Sequence, residues 1–353
     1  MKSWVKLFIL LFWTLLFFGM LYFPKWHFLV LNPRSLSLFV WGDFLDPTLI
    51  TRFEKKTGIK VHLNFYYSNE ELVVKLKETK GEGYDLIVPS DYTVKILSEA
   101  GLLKKIDKDK LSFFSRLNPR LLHLPFDPEN RYSIPYFWSV YGFGINREEF
   151  KTPEAPSWNL VFSPQSYKIT MVNDPIDVVA LASFYLFGPK ETLSFSEAES
   201  VKALLSLQRG WIEAYTQDRG PYFLATRNCP LVLSTSSNVG ATMLRFPFID
   251  FLLPNEGTFI SVEHLCIPNA SKKEKLAYQL INFLFQEESV KKNYERYLFY
   301  PALKISLAPV DGDARFDNFL KAADISFEKT HFFRKLLPAR ELDELWIKVK
   351  SEH

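Results

Sequence analysis

Residues 38–61, LFVWGDFLDPTLITRFEKKTGIKV, constrain the fold more than any other stretch of the chain. Leu38, Phe39 and Val40 make a short apolar run with strand character, and residues 59–65 make a second. The residues between them carry the signals of one helix. Asp46 suits its N-cap, because a carboxylate accepts from the backbone donors that the first turn leaves free. Pro47 suits the next position, where no N–H is needed. Leu49, Ile50 and Phe53 form an apolar face, Lys55 and Lys56 complement the negative helix end, and Gly58 stops the helix. Such a strand–loop–helix–strand unit delivers Trp41, Gly42, Asp43 and Phe44 to the carboxyl end of a strand. Open α/β sheets bind ligands there.

The same alternation continues. Ser68 and Glu71 suit a capping box for a helix reaching Lys80 and ended by Gly81. Residues 86–88 are continuously apolar, as in a strand covered on both faces, and residues 89–92 form another strand-end loop before a helix to Ala100. Strands alternating with helices argue for a mostly parallel sheet. Residues 133–146, SIPYFWSVYGFGIN, suit a crossing from one lobe to a second. Gly142 and Gly144 are not a nucleotide signature, because Arg147 stands where a third glycine would be needed. The second lobe then includes residues 169–177, a helix over 196–208 and a strand over 231–233. Residues 262–268 suit a return strand to lobe one. Ser271 and Glu274 suit a capping box before an amphipathic helix packed on that lobe. A helix over 339–350 returns to lobe two. The expected division is 1–34 outside the globular fold, lobe one 35–138, lobe two 139–261, lobe one again 262–306, and lobe two 307–353.

Lys2 and Lys6 precede an uncharged apolar run over residues 7–23. Positive charge before an apolar core begins both secretory signals and signal-anchors. The run lacks a clear small-residue cleavage site and spans roughly 25 Å as a helix. An uncleaved anchor with an exported remainder is the expectation, and a cleaved signal the alternative. The chain has 353 residues, 47% of them hydrophobic, which is enough for a large core, and its net charge of +3 argues against nucleic acid. Six histidines show no HExxH arrangement, and no GxSxG elbow or phosphate loop occurs. No enzyme, cofactor or metal site is expected. Cys229 and Cys266 are too few for a metal framework. They leave a disulfide and buried free thiols both open.

The stretch around Trp41, together with SNEELVVKLKE, YDLIVPSDY, KIDKDKLSFFSRL, PFDPENRYSIPYFW and LINFL, resembles the periplasmic spermidine/putrescine-binding proteins of bacterial ABC transporters. The motifs occur in order across nearly everything after residue 36. The resemblance implies a periplasmic-binding-protein fold: two doubly wound α/β lobes joined by a hinge, with the ligand between them. It implies capture of a polyamine in the periplasm and delivery to an inner-membrane ABC permease with its ATPase, by a monomer. Polyamines are methylene chains between ammonium groups, so a site needs carboxylates for the charges and aromatic faces along the chain. The resemblance places Trp41, Asp43, Phe44, Ser90, Tyr92, Asp174, Asp177, Glu263 and Tyr300 at ligand-contacting positions. Two aromatic walls of the family are missing, near Thr235 and at Ser261, with Phe259 and Tyr141 as candidates to fill the space. Another organic cation, a metal complex, or a scaffold role for a decayed binding fold are therefore alternatives. Several residues also have plainer readings: Trp41 as core, Ser90 and Asp91 as helix caps, Asp174 as an N-cap before Pro175. Asp91 is assigned to the cap and Asp85 to structure. His264 is assigned to a satisfied or exposed histidine.

Overall fold

The computed structural model describes residues 34–217, 219–307 and 329–351, with residues 4, 6, 8–19, 313, 316, 319, 320 and 322. Strands β1 (Ser35–Trp41), β2 (Lys60–Tyr66) and β3 (Leu86–Ile87) form a parallel sheet in the order β2-β1-β3. Helix α1 (Pro47–Thr57) connects the first two strands, as the opening motif requires. Asp46 accepts from the Thr48 N–H at 2.7 Å, and Gly58, at φ 70°, closes the helix with its N–H on the Glu54 carbonyl. Leu49, Ile50 and Phe53 are buried under the sheet, each stabilising the fold by about 1.5–3 kcal/mol. Helices α2 (Asn69–Glu78) and α3 (Asp91–Glu99) follow. Ser68 accepts from the Glu71 N–H at 3.1 Å, but Glu71 reaches past Ser68 to the Tyr67 N–H, so only half of the expected capping box forms.

Strand β4 (Ile134–Asn146) is the spine of the molecule. All thirteen of its residues are buried. After it come β5 (Ile169–Val172), β6 (Ile212–Thr216), β7 (Leu231–Thr235), β8 (Ile249–Leu252), β9 (Thr258–Leu265), β10 (Tyr300–Pro301) and β11 (Thr330–Phe332). Residues 134–140 of β4 pair with β9, and residues 141–145 pair with β7. The larger sheet has the order β11-β9-β4-β7-β5-β6, with β8 and β10 also on β4. Gly142 and Gly144 are packing requirements of this spine. A Cβ at Gly142 would lie 2.6 Å from the Leu252 carbonyl oxygen, and one at Gly144 2.8 Å from Leu224.

Cys266, the residue after β9, also hydrogen-bonds β3, through reciprocal Ile87 and Cys266 backbone contacts at 2.9 and 3.0 Å. The β9 segment therefore links the two sheets, and the boundaries expected at 138/139 and 261/262 fall inside the continuous strands β4 and β9. In lobe two, α4 (Pro175–Phe187) and α5 (Phe195–Gln208) pack with the C-terminal helix, which buries Leu342, Leu345, Trp346 and Val349 among them.

Two local expectations change. Ser271 does not cap the following helix (Glu274–Leu284) through a box with Glu274. Its hydroxyl donates to Asp85 at 2.8 Å, and Asp85 also accepts from the Ser37 N–H, an arrangement that ties the helix start to β1. Cys229 and Cys266 are buried free thiols in different core clusters. Residues 8–19 are helical and exposed. Among the described residues no helix is long and apolar enough to cross a membrane, and residues 20–33, which include the end of the expected anchor, lie outside them.

Candidate ligand site

The strands of both lobes end at one place. Trp41 closes β1, Ser90 follows β3, Asp174 follows β5, and Glu263 lies on β9 between them. Each is at a carboxyl strand end or on the shared strand, so the topology brings them together.

Glu263 is 8% exposed and holds two donors. The Trp41 indole Nε1–H donates to Oε2 at 2.8 Å, and the Ser261 hydroxyl donates to Oε1 at 3.1 Å. The Trp41 ring rests on Tyr66, with centroids 4.5 Å apart. Backbone pairing of Ser90 with Glu263 sets α3 against β9 at this point. From Ser90 the contacts run toward lobe two. The Ser90 hydroxyl donates to Asn69 Oδ1 at 2.8 Å, and Asn69 Nδ2 donates to the Tyr92 hydroxyl at 3.1 Å. Tyr92 in turn donates to Asp174 Oδ2 at 3.2 Å, which crosses from lobe one to lobe two.

Asp174 is also the N-cap of α4, its Oδ1 accepting from the Ile176 and Asp177 N–H groups. Pro47 after Asp46 and Pro175 after Asp174 show the same start signal used twice, but at Asp174 the second oxygen also takes the Tyr92 hydroxyl from lobe one. Asp177 lies one turn into α4 and accepts from the Tyr141 hydroxyl at 2.6 Å. Burial pushes Asp174 up to about 6, assisted by the charge of Glu70, and pushes Asp177 well above the ordinary carboxylate range, assisted by Asp174. Asp91 is pushed up to about 7, by burial first, with the charge of Asp174 adding to it. The charges acting on these three groups are all negative: Glu70, Asp91 and Asp174. Such a cluster favours a cation, because opposite charge in a poorly hydrated place is what restores the ionised forms.

Of the nine residues proposed from sequence, the structure brings Trp41, Ser90, Tyr92, Asp174, Asp177 and Glu263 into this arrangement. It leaves three outside the acid row. Asp43 is exposed, at φ 52°, with its charge acting on Arg296. Phe44 is 1% exposed and packs edge-on against Tyr136, Phe137 and Phe299. Tyr300 donates its hydroxyl to the Phe319 carbonyl at 2.6 Å and packs its ring on Trp138 and Phe319. Of the candidates to replace the missing walls, Phe259 stacks on Phe333 in the core of lobe two, whereas Tyr141 does reach the site. Thr235 caps the helix Ser236–Met243. Asn69 was not singled out from the sequence; its place as the residue after the Ser68 cap is the only signal for it. His264 is buried, is held down to about 4 by that burial, and contacts the Val262 carbonyl oxygen at 2.9 Å, so it is a satisfied core histidine.

Residues 48–315 match the model of the bacterial extracellular solute-binding proteins. The chain belongs to that family. This solute-binding protein is 34% identical over 274 residues to the spermidine/putrescine-binding periplasmic protein of Escherichia coli, covering 76% of this chain and 78% of that one. It is 27% identical over 343 residues to a putrescine-binding periplasmic protein of Pseudomonas aeruginosa, covering 91% and 93%. A solved Listeria monocytogenes structure, named as a spermidine/putrescine ABC transporter, superposes with a TM-score of 0.79 at 27% identity, covering 91% of this chain and all of that one. The two-lobed solute-binding fold is thereby shown.

Proposed function

We propose that this solute-binding protein captures a polyamine outside the inner membrane and passes it to an ABC permease and its ATPase. The observation that carries the reading is the row of buried acids across the lobe boundary, Glu263 on one side and Asp174 with Asp177 on the other, bridged by Tyr92. The names of the relatives support the ligand class. In this reading the ammonium groups replace water with charge-assisted hydrogen bonds to those carboxylates, and the faces of Trp41 and Tyr92 cover methylenes between them. Burial of the acids strengthens each pair, since the interaction scales inversely with the local dielectric. The apolar run over residues 7–23 would tether the protein to the membrane, and one chain suffices for one site.

Ser261 and Thr235 favour a second reading with the same fold and another organic cation. Where the family resemblance places tryptophan, these side chains instead hold Glu263 and cap a helix. Calorimetric titration of the purified full chain with putrescine, spermidine and spermine, with arginine as control, separates the readings. Micromolar or tighter binding of one polyamine is the expected outcome. A folded protein silent toward all three polyamines overturns the proposal.

A further inference from the structure

The amino ends of the lobe-one strands form an edge that faces away from the ligand site. Ser35, Lys60 and Leu86 begin the three parallel strands there, and the Arg34 carbonyl accepts from the Lys60 N–H at 2.9 Å. Cys266 pairs antiparallel with Ile87, so the chain leaving β9 arrives at the same edge, where Pro268 meets Leu103. Helices α1 and α2 run back to this edge, and the helix Glu274–Leu284 starts from it. Lysines collect here. Lys55 and Lys56 lie in the last turn of α1, Lys80 follows α2, and Lys105 follows the Leu103 contact. Lys272 and Lys275 flank the start of the helix Glu274–Leu284. All six are exposed and make no ion pair among the described residues. Glu54, Asp85 and Glu274 are already answered by other lysines, Lys60, Lys273 and Lys104. Glu78 and Glu82 stand among the six as exposed acids, so positive charge is in excess.

Helix polarity explains only part of that excess. Lys55 and Lys56 complement the negative end of α1. Lys272 and Lys275, with Lys273 between them, instead crowd the positive end of the helix Glu274–Leu284. Lys273 is its N-cap residue and makes no side-chain capping bond. Folding gains nothing from lysines so placed, whereas contact with a negatively charged partner does. The covalent chain points to one partner. Arg34 is preceded by residues 24–33, and these by the apolar run 7–23, the proposed membrane tether. Residues 24–34 reach roughly 40 Å at full extension, so the tether leaves from the basic edge and holds that edge near the bilayer. A second contact with the same membrane is then intramolecular, which lets weak charge pairing count.

We propose that this edge of lobe one is a docking surface for an anionic phospholipid bilayer, and that docking points the cleft away from the membrane. Basic residues beside a membrane segment are drawn to anionic headgroups within about a Debye length. Between α1 and the helix Glu274–Leu284 lies a groove of about 790 Å³, lined by Lys56 and Lys275 and by the buried rings of Phe53, Tyr278 and Phe283. It gives a headgroup a place to sit. The inference rests on the tether in the functional reading above and not on its ligand.

Reconstitution of the full chain into vesicles of phosphatidylcholine, alone or mixed with phosphatidylglycerol, tests this. Glu82→Cys places a reactive thiol on the edge for a fluorescent donor, since Cys229 and Cys266 are buried. Energy transfer to an acceptor on the lipid headgroups then reports how close the edge lies. Transfer should be at least about twofold higher in the anionic vesicles at low salt, and the excess should vanish near 1 M salt. It should also vanish when Lys80→Gln, Lys105→Gln, Lys272→Gln and Lys275→Gln are combined, changes to exposed side chains that leave the core alone. Equal transfer in the two lipids, as an acidic protein partner would give, overturns the inference. So does a combined variant that behaves as the parent does. A chain that high salt strips from phosphatidylcholine vesicles overturns the tether alone. Parent and variant are then compared by sedimentation with the anionic vesicles, and equal pelleting overturns the docking surface as well.

Discussion

The two ends of the acid row are built differently. At Glu263 each carboxylate oxygen has its own donor, the Trp41 indole and the Ser261 hydroxyl, and the side chain is fixed before any ligand arrives. At Asp174, Asp177 and Asp91 the carboxylates crowd one another, and burial lifts all three above their ordinary range. One end offers geometry and the other offers unbalanced charge. A binding site needs both, since an orienting contact sets register while an uncompensated cluster supplies the differential energy that a cation releases.

Substitution at the crowded end should therefore cost more than at the ordered end. Asp174→Asn keeps an N-cap acceptor for α4 but removes a charge, and should weaken polyamine binding by about 2–3 kcal/mol, roughly 30- to 150-fold, by titration. An effect smaller than that of Trp41→Phe would break the comparison.

Acidity sharpens it next. With Asp91 lifted to about 7 and Asp174 to about 6, protons compete with the cation as pH falls. Lowering the pH from about 8 to about 5.5 should reduce affinity by roughly 100-fold where both must be ionised, about 30-fold from the group at about 7 and about fourfold from the group at about 6. Binding near pH 6.5 should release protons, detectable as a buffer-dependent calorimetric heat. The unliganded protein should respond in the opposite sense. Carboxyls whose folded pKa is raised favour folding most at low pH, and that contribution is lost as pH rises through about 6 and 7. Thermal shift by spermidine should accordingly grow from pH 5.5 to pH 8. A shift independent of pH would show that the crowded acids do not meet the ligand.

The smallest effect belongs to the ordered end. Trp41→Phe keeps a ring over the ligand chain but removes the donor to Glu263 Oε2. The cost should be about 1 kcal/mol, roughly fivefold in affinity, with little change in the pH profile. A profile that moves with this substitution would mean that the two ends are not separable.

Much of this was legible in the sequence, and the failures have physical causes. The start of α1 was readable because Asp46, Pro47 and Gly58 each act locally, within one turn of their own backbone. Residues 133–146 were read as a crossing between lobes, but their folding as one long buried strand was not, because Ser139 and the two glycines interrupt the apolar pattern. The capping boxes at Ser68 and Ser271 were only partly right, since Tyr67 and Asp85 compete for the same groups and Asp85 is distant in sequence. Phe44 and Tyr300 were assigned to the site by position, yet their side chains are drawn into aromatic packing with Phe299 and Phe319. Sequence position gives the strand end, but rotamer and neighbours decide which way a ring faces. Asp91 looked like a cap because its residue type and place fit one. The neighbouring strand adds a backbone contact from Val262, which no local reading of the sequence could supply.

The shared strand β9 has a consequence for how the chain is made. Lobe one begins with residues 35–99, yet its sheet is bordered by β9, whose residues 258–265 are synthesised far later. Neither lobe can finish while the ribosome is still short of that strand. Completion of lobe one therefore waits on a contact of long sequence separation, the kind that slows folding.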